Sequence, residues 1–287
     1  MFSLILLFPL ISFISILLFG SYIGTYGSIF ISCTNLLLAF IASLITYWLF
    51  SHDYTMYANV WTWLNLEDLH INFGLRYDSL TAIMFIVVTT VSSVVHLYSS
   101  VYMYTDPLLS RFMSYLSLFT LFMLLLVSSN NLLVLFFGWE GVGLCSYLLI
   151  GFWHTRAQAG KAATKAFIIN KIGDLFLLAG IGVTFMFFHT IDFSTISLLV
   201  GWCPEEFAEI ISVFLFIGAV GKSAQVGLHT WLPDAMEGLL NSWALLKFHH
   251  MREYPKITRS TQEQVLIGKI WVVGQSAGNQ MLLKLAK

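Results

Sequence analysis

An all-α, polytopic transmembrane bundle of about seven helices is predicted by three features. The chain is 58% hydrophobic and only 10% charged over 287 residues, with a mean hydropathy of +0.81, whereas a soluble domain carries about 25% charged residues. Its apolar stretches run for roughly 17–25 residues, the length of a membrane-crossing helix, where barrel strands would be alternating segments of about ten. Three of these stretches hold deep charges, namely Glu140, Asp174 and Lys222. A charge near the bilayer centre costs about 2.5–3.5 kcal/mol on insertion scales and persists mainly where it handles ions or protons.

The apolar runs predict helices near 2–22, 28–50, 79–103, 112–128, 131–152, 162–188 and 208–226. The first segment runs from Met1 into apolar sequence with no Lys or Arg before Arg76. It lacks the basic start of a secretory signal and the Arg-rich amphipathic character of a mitochondrial presequence. We read it as a retained helix of a protein made where it is inserted. The segment between the second and third helices reads as a polar loop with Glu67, Asp68, Arg76 and Asp78. Tyr54, Tyr57, Trp61 and Trp63 in it suit the membrane interface.

Charge asymmetry predicts orientation. Arg111, Arg156, Lys161 and Lys165 fall on one side against Asp106, whereas Asp53, Glu67, Asp68, Asp78, Asp192, Glu205, Glu206 and Glu209 fall on the other against Arg76 alone. The positive-inside rule then turns the basic side to the matrix or cytoplasm and the N-terminus outward.

The balance changes after Gly238. Residues 1–238 hold seven Lys/Arg against thirteen Asp/Glu, and residues 239–287 hold seven against two. Lys247, Arg252, Lys256, Arg259 and Lys269 interrupt every candidate span in this tail.

Glu140 lies about eight residues into the fifth helix, roughly 12 Å deep and near the middle of a ~30 Å core. Gly138, Gly141 and Gly143 beside it leave room for a neighbouring backbone. Its bland reading is a protonated, hydrogen-bonded structural acid. Lys171 and Asp174, three apart on the sixth helix, share a face and can pair, either as a functional couple or as a structural ion pair. Lys165, nearer the basic end, reads as a snorkelling anchor.

Lys222 follows Gly218 and Gly221 late in the seventh helix. Burial favours a neutral lysine and a nearby carboxylate a charged one, so a lysine between them changes protonation when its partner moves. Snorkelling is the alternative. Gly227 and Pro233 beyond it predict a broken helix, which at membrane depth survives only where protein or water satisfies the backbone. His229 reads equally as a proton relay or an interfacial histidine. His96, His154 and His189 read as interfacial. Cys33, Cys145 and Cys203 form no metal or disulfide pattern and read as packing residues. With no phosphate loop, dinucleotide glycine pattern or CxxC pair, NADH oxidation and iron–sulfur chemistry are not expected on this chain, nor is nucleic-acid binding.

Several segments, in order, resemble the chain 5 family of mitochondrial NADH:ubiquinone oxidoreductase, the antiporter-like subunits of respiratory complex I. They are Phe73-Gly74-Leu75-Arg76-Tyr77-Asp78-Ser79-Leu80, Val95-His96-Leu97-Tyr98-Ser99, Arg111-Phe112-Met113-Ser114-Tyr115-Leu116-Ser117, Gly138-Trp139-Glu140-Gly141, Asn170-Lys171-Ile172-Gly173-Asp174, Gly221-Lys222-Ser223-Ala224-Gln225 and Trp231-Leu232-Pro233-Asp234-Ala235-Met236-Glu237-Gly238. The resemblance implies an inward proton half-channel built on Glu140 and Lys222, tuned by Asp174, with Lys171 as its basic neighbour. It implies no cofactor on this chain, with NADH, FMN, iron–sulfur clusters and ubiquinone elsewhere in the complex. It implies a multi-pass place in the mitochondrial inner membrane, with other complex I membrane subunits as partners, above all an adjacent antiporter-like one.

The resemblance covers residues 1–238 and stops. The family's proline-containing eighth helix and later lysines and histidines are not recognisable in residues 239–287. Back-translated, Gln275–Asn279 resembles a core element of self-splicing group I introns. The tail is therefore expected to be translated intron, or else the end of a split subunit. Two other functions remain open at this level, a stand-alone cation/proton antiporter and a non-transporting assembly piece.

Overall fold

The computed structural model describes residues 2–50, 55–65, 70–225 and 227–235. The predicted tail at 239–287 lies outside them, as do Asp53, Tyr54, Glu67 and Asp68. Among the described residues, five helices are long and apolar enough to cross a membrane, and the chain is a multi-pass membrane protein.

The first two predicted helices form α1, Phe2–Phe50, which holds no charged residue and breaks at Gly24. There φ is 73° and ψ −177°, a conformation that glycine adopts without the steric cost of a β-carbon. An unbroken helix of that length would extend about 73 Å, more than twice a ~30 Å core. α2 (Ser79–Tyr102), α3 (Leu109–Val127), α4 (Leu132–Ile150) and α5 (Ala157–Phe188) follow, each within a few residues of its predicted span. A short α6 (Phe193–Leu199) and a 3₁₀ turn (Val200–Trp202) precede α7 (Glu205–Lys222).

The chain divides into two compact units, Met1–Cys145 with Gly180–Ile211, and Ser146–Ala179 with Ser212–Lys287. In the first, α1 packs on α2 and α3. Small hydroxyl residues line these contacts, where they permit close approach and bond across helices. Ser12 meets Ser117 at 3.0 Å, Ser43 meets Thr89 at 3.0 Å, and Ser110 Oγ donates to Ser28 Oγ at 3.3 Å.

The predicted polar loop is instead a hairpin. β1 (Met56–Asn65) pairs antiparallel with β2 (His70–Tyr77), with register irregularities at Asn59/Trp61 and Thr62/Leu64. Trp61 stacks on Phe73 at 4.5 Å, and Trp63 meets Phe73 and Phe137 edge-on, each at 5.9 Å. Such aromatic cross-strand pairs stabilise a hairpin, so these rings pack on each other as well as suiting an interface. Asn131 ties the hairpin to α4. Its Nδ2 donates to Asn72 O at 2.8 Å, while its Oδ1 accepts the Val134 N–H at 2.8 Å.

Candidate functional site: buried charges and a helix break

Glu140 is half-buried on α4, in the first unit. The helix is close-packed beside it because glycines remove side chains at the contact with α3. A β-carbon on Gly138 would lie 2.8 Å from the Leu126 backbone nitrogen, and one on Gly141 would meet the Phe122 ring at 2.3 Å. The expectation that glycines bring a neighbouring backbone against Glu140's helix is met at Gly138, whereas at Gly141 the space is taken by the Phe122 side chain.

Asp174, Lys171 and Lys222 belong to the second unit. Asp174 is 4% exposed on α5 and Lys222 3% exposed at the end of α7. Their helices touch backbone to backbone next to both residues. A β-carbon on Gly173 would stand 3.1 Å from Gly221 Cα, and one on Gly218 would stand 2.8 Å from Leu177 Cβ. Lys171 is half-buried, with Nζ 5.4 Å from the centre of the Phe167 ring, a cation–π contact.

Lys222 does not lie within a helix running to 226, as the sequence suggested. It is the last residue of α7. Ser223 N–H donates to Ala219 O at 3.0 Å and Gln225 N–H to Val220 O at 3.1 Å, with Ala224 at φ 51°. That left-handed residue and the six-to-one bond form a Schellman stop, one of the common ways to satisfy terminal carbonyls. Beyond Gly227, at φ 107°, a helical turn resumes over 231–235. Pro233 falls in its first turn, where a missing N–H is tolerated. The predicted discontinuity of this helix is thus present, and it begins at the buried lysine.

His229 is exposed in the turn before 231–235, with its carbonyl accepting the Leu232 N–H. Two residues absent from the sequence-level site help fix the break. Trp231, 1% exposed, donates its indole N–H to Gly221 O at 3.2 Å. Asp234 pairs with Lys165 at 2.5 Å, with both side chains about two-fifths exposed. Lys165 therefore binds the segment after the break rather than acting only as a membrane anchor. A separation of 69 residues hid that pairing. Trp231 packs into a cluster with Ile150, Ala162, Ala163 and Ala166.

His96 also departs from its expected interfacial place. It is 1% exposed inside α2, and its Nδ1 donates to Ser92 O at 2.8 Å. His154 and His189 are exposed. Among the described residues no group of three His, Cys, Asp or Glu side chains is arranged to hold a metal.

Two family models match the chain. NADH-Ubiquinone oxidoreductase (complex I), chain 5 N-terminus, matches residues 63–113, and NADH:quinone oxidoreductase/Mrp antiporter, TM, matches residues 129–246. The NADH-ubiquinone oxidoreductase chain 5 of Metridium senile is 49% identical over 240 residues, which are 83% of this chain and 40% of that protein. That of Arabidopsis thaliana is 48% identical over 248 residues, covering 83% of this chain and 37% of that protein. A Neurospora crassa protein named probable intron-encoded endonuclease 4 is 42% identical over 282 residues, 98% of this chain and 52% of its own length. The chain thus spans about half or less of these curated relatives. The structure of the Mrp complex from Dietzia sp. DQ12-45-1b contains a chain of similar fold, with a TM-score of 0.68 at 24% identity, covering 81% of this chain and 25% of that one.

Proposed function

Because the chain belongs, over residues 63–113 and 129–246, to the antiporter-like family of complex I chain 5, we propose that it is the N-terminal portion of a proton-translocating membrane subunit of NADH:ubiquinone oxidoreductase. The observation that carries this reading is Lys222. An ammonium group removed from solvent at a helix break, beside the helix of a buried carboxylate, fits an intramembrane ion or proton path.

In this reading Glu140 and Lys222 are the two charged stations of an inward half-channel. A carboxylate favours the charged lysine and its loss of charge favours the neutral one, so a change at Glu140 moves a proton at Lys222. Asp174, whose helix packs on that of Lys222 beside both residues, biases the same equilibrium, and Lys171 offsets Asp174. His229, exposed beyond the break, exchanges protons with water. Redox chemistry takes place on other subunits, which hold the NADH site, FMN, iron–sulfur clusters and ubiquinone. The neighbouring partner is an adjacent antiporter-like subunit. The membrane is the mitochondrial inner membrane, with the N-terminus on the intermembrane-space side. Complete translocation requires a C-terminal half that residues 1–238 do not contain.

Residues 239–287 take a second reading, favoured by one observation. The alignment to the Neurospora protein leaves about 2% of the chain unmatched, so most of the tail has a counterpart there. A protein named for an intron-encoded endonuclease that shares both parts supports an exon read in frame into intron. The family match to residue 246 runs eight residues past the expected junction at Gly238.

Two experiments test these readings. Sequencing the mature transcript across the Gly238 codon is expected to find a join to an exon encoding the proline-containing eighth helix. A message reading through to Lys287 would instead make the short product real. In the full-length subunit within the assembled complex, Lys222→Met is expected to lower protons pumped per electron. An unchanged ratio at normal assembly would remove Lys222 from the path and favour the assembly-piece reading. Sodium-dependent transport by the reconstituted subunit would favour a cation/proton antiporter.

A further inference from the structure

The end of α7 is held from two directions by residues that no charge-based reading selects. Stopping a helix leaves its last carbonyls without intrahelical donors, and burial of such groups is costly. At this end Ala219 O accepts from Ser223 N–H and Oγ–H, and Val220 O accepts from Gln225 N–H. Gly221 O, the carbonyl of the peptide that enters Lys222, accepts the Trp231 indole N–H at 3.2 Å. The ring comes from ten residues further along the chain, beyond the break, and is buried against Ile150, Ala162, Ala163 and Ala166. Leu232 and Ala235 of the same turn and Ala224 of the break pack against the same cluster.

The break is not a relaxed glycine stop. Ala224 holds φ at 51°, where a β-carbon costs roughly 1–2 kcal/mol. Such a conformation persists when the surroundings over-determine it. The surroundings here are the indole bond, the apolar cluster, the close approach of Gly173 and Gly221, where a β-carbon on either would stand 3.0–3.1 Å from the other's Cα, and the Lys165–Asp234 pair at 2.5 Å.

We propose that Trp231 is a positioning residue for Lys222. By capping Gly221 O it fixes the peptide from which the lysine projects, with the Lys165–Asp234 pair fastening the same segment to α5 from its exposed side. This rests on the reading of Lys222 as a proton-carrying group. A one-peptide shift at the stop re-aims a long side chain, so the clamp sets which groups the ammonium meets. Among the described residues of this unit, the charged and titratable groups on α5 and after the break are Lys161, Lys165, Lys171 and Asp174 on α5, and His229 and Asp234 after the break.

The test uses the full-length subunit in the assembled complex. Trp231→Phe deletes the N–H and keeps most of the apolar fill. Amide exchange at Ser223 and Gln225 is expected to accelerate about two- to tenfold, the factor for losing one hydrogen bond. The pH profile of proton pumping should be displaced while electron transfer from NADH to an artificial acceptor is unchanged. Asp234→Asn should shift exchange in the same direction by a smaller factor. Exchange and pH profile matching the wild type in Trp231→Phe would overturn the proposal. Should that variant fail to assemble, unchanged exchange in Asp234→Asn overturns it instead. Lys222→Met separates the two layers, because unchanged pumping there refutes the role of the lysine while the exchange result still judges the clamp.

Discussion

Gly173 and Gly221 meet backbone to backbone, with the β-carbon position of each 3.0–3.1 Å from the other's Cα. Asp174 and Lys222 are their chain neighbours, so α5 and α7 approach backbone to backbone where their buried charges lie. Gly221→Ala forces two backbones apart, and overpacking of this kind costs about 1–3 kcal/mol. Gly182, with nothing within 4 Å of a β-carbon, is the control, since Ala in an open helical site gains about 0.5–1 kcal/mol. Thermal denaturation of the solubilised subunit is expected to fall for Gly221→Ala and hold or rise for Gly182→Ala. Equal midpoints would mean the contact is not tight.

Asp78 starts α2. Its Oδ1 accepts the Thr81 N–H at 2.8 Å, Thr81 Oγ1 accepts the Asp78 N–H at 2.8 Å, and Oδ2 lies 3.2 Å from Arg76. Asp78→Ala is expected to cost about 0.5–2 kcal/mol through the lost cap. Asp78→Asn keeps the cap and loses only the partly exposed ion pair, about 0.2–1 kcal/mol. Denaturation midpoints ordered wild type, Asn, Ala would confirm that the cap outweighs the pair.

Asp192 precedes α6, and burial raises its carboxyl above the ordinary value of 3.8, partly offset by a hydrogen bond from Asn131. An acid raised on folding opposes folding once ionised. Below 3.8 both states are protonated and there is no cost. Stability then falls as pH rises above that value, until the folded-state group has also ionised. Asp192→Asn should therefore flatten the pH dependence just above the ordinary carboxylate range and leave the protein at least as stable at neutral pH. Denaturation midpoints across that window check it, and an unaltered slope would contradict it.

The spans were legible because length and apolarity nearly suffice to define a membrane helix. Even the α1 break lay inside the short gap expected between 22 and 28. The hairpin was not, because Tyr57, Trp61 and Trp63 satisfy an aromatic membrane belt and a cross-strand cluster equally well. His96 was misread from its nearness to a helix end. The spacing of Thr89, Ser92, Ser93, His96 and Ser99, all buried on α2, marks one helical stripe and could have turned it toward the bundle. At the site, deep charges stood out from their apolar context, so Glu140, Asp174 and Lys222 were selected from composition alone. Trp231 and the Lys165–Asp234 pair were invisible, because an aromatic near a proline and two interfacial charges carry no signal until the chain folds back.

Protons pumped per electron by complex carrying Glu140→Gln in the full-length subunit tests the proton-path account most directly. Glutamine keeps the size and hydrogen bonding of the side chain but cannot ionise. The account predicts normal assembly with a lowered ratio. A ratio equal to the wild type at normal assembly would take Glu140 out of the path and with it the proposed coupling to Lys222.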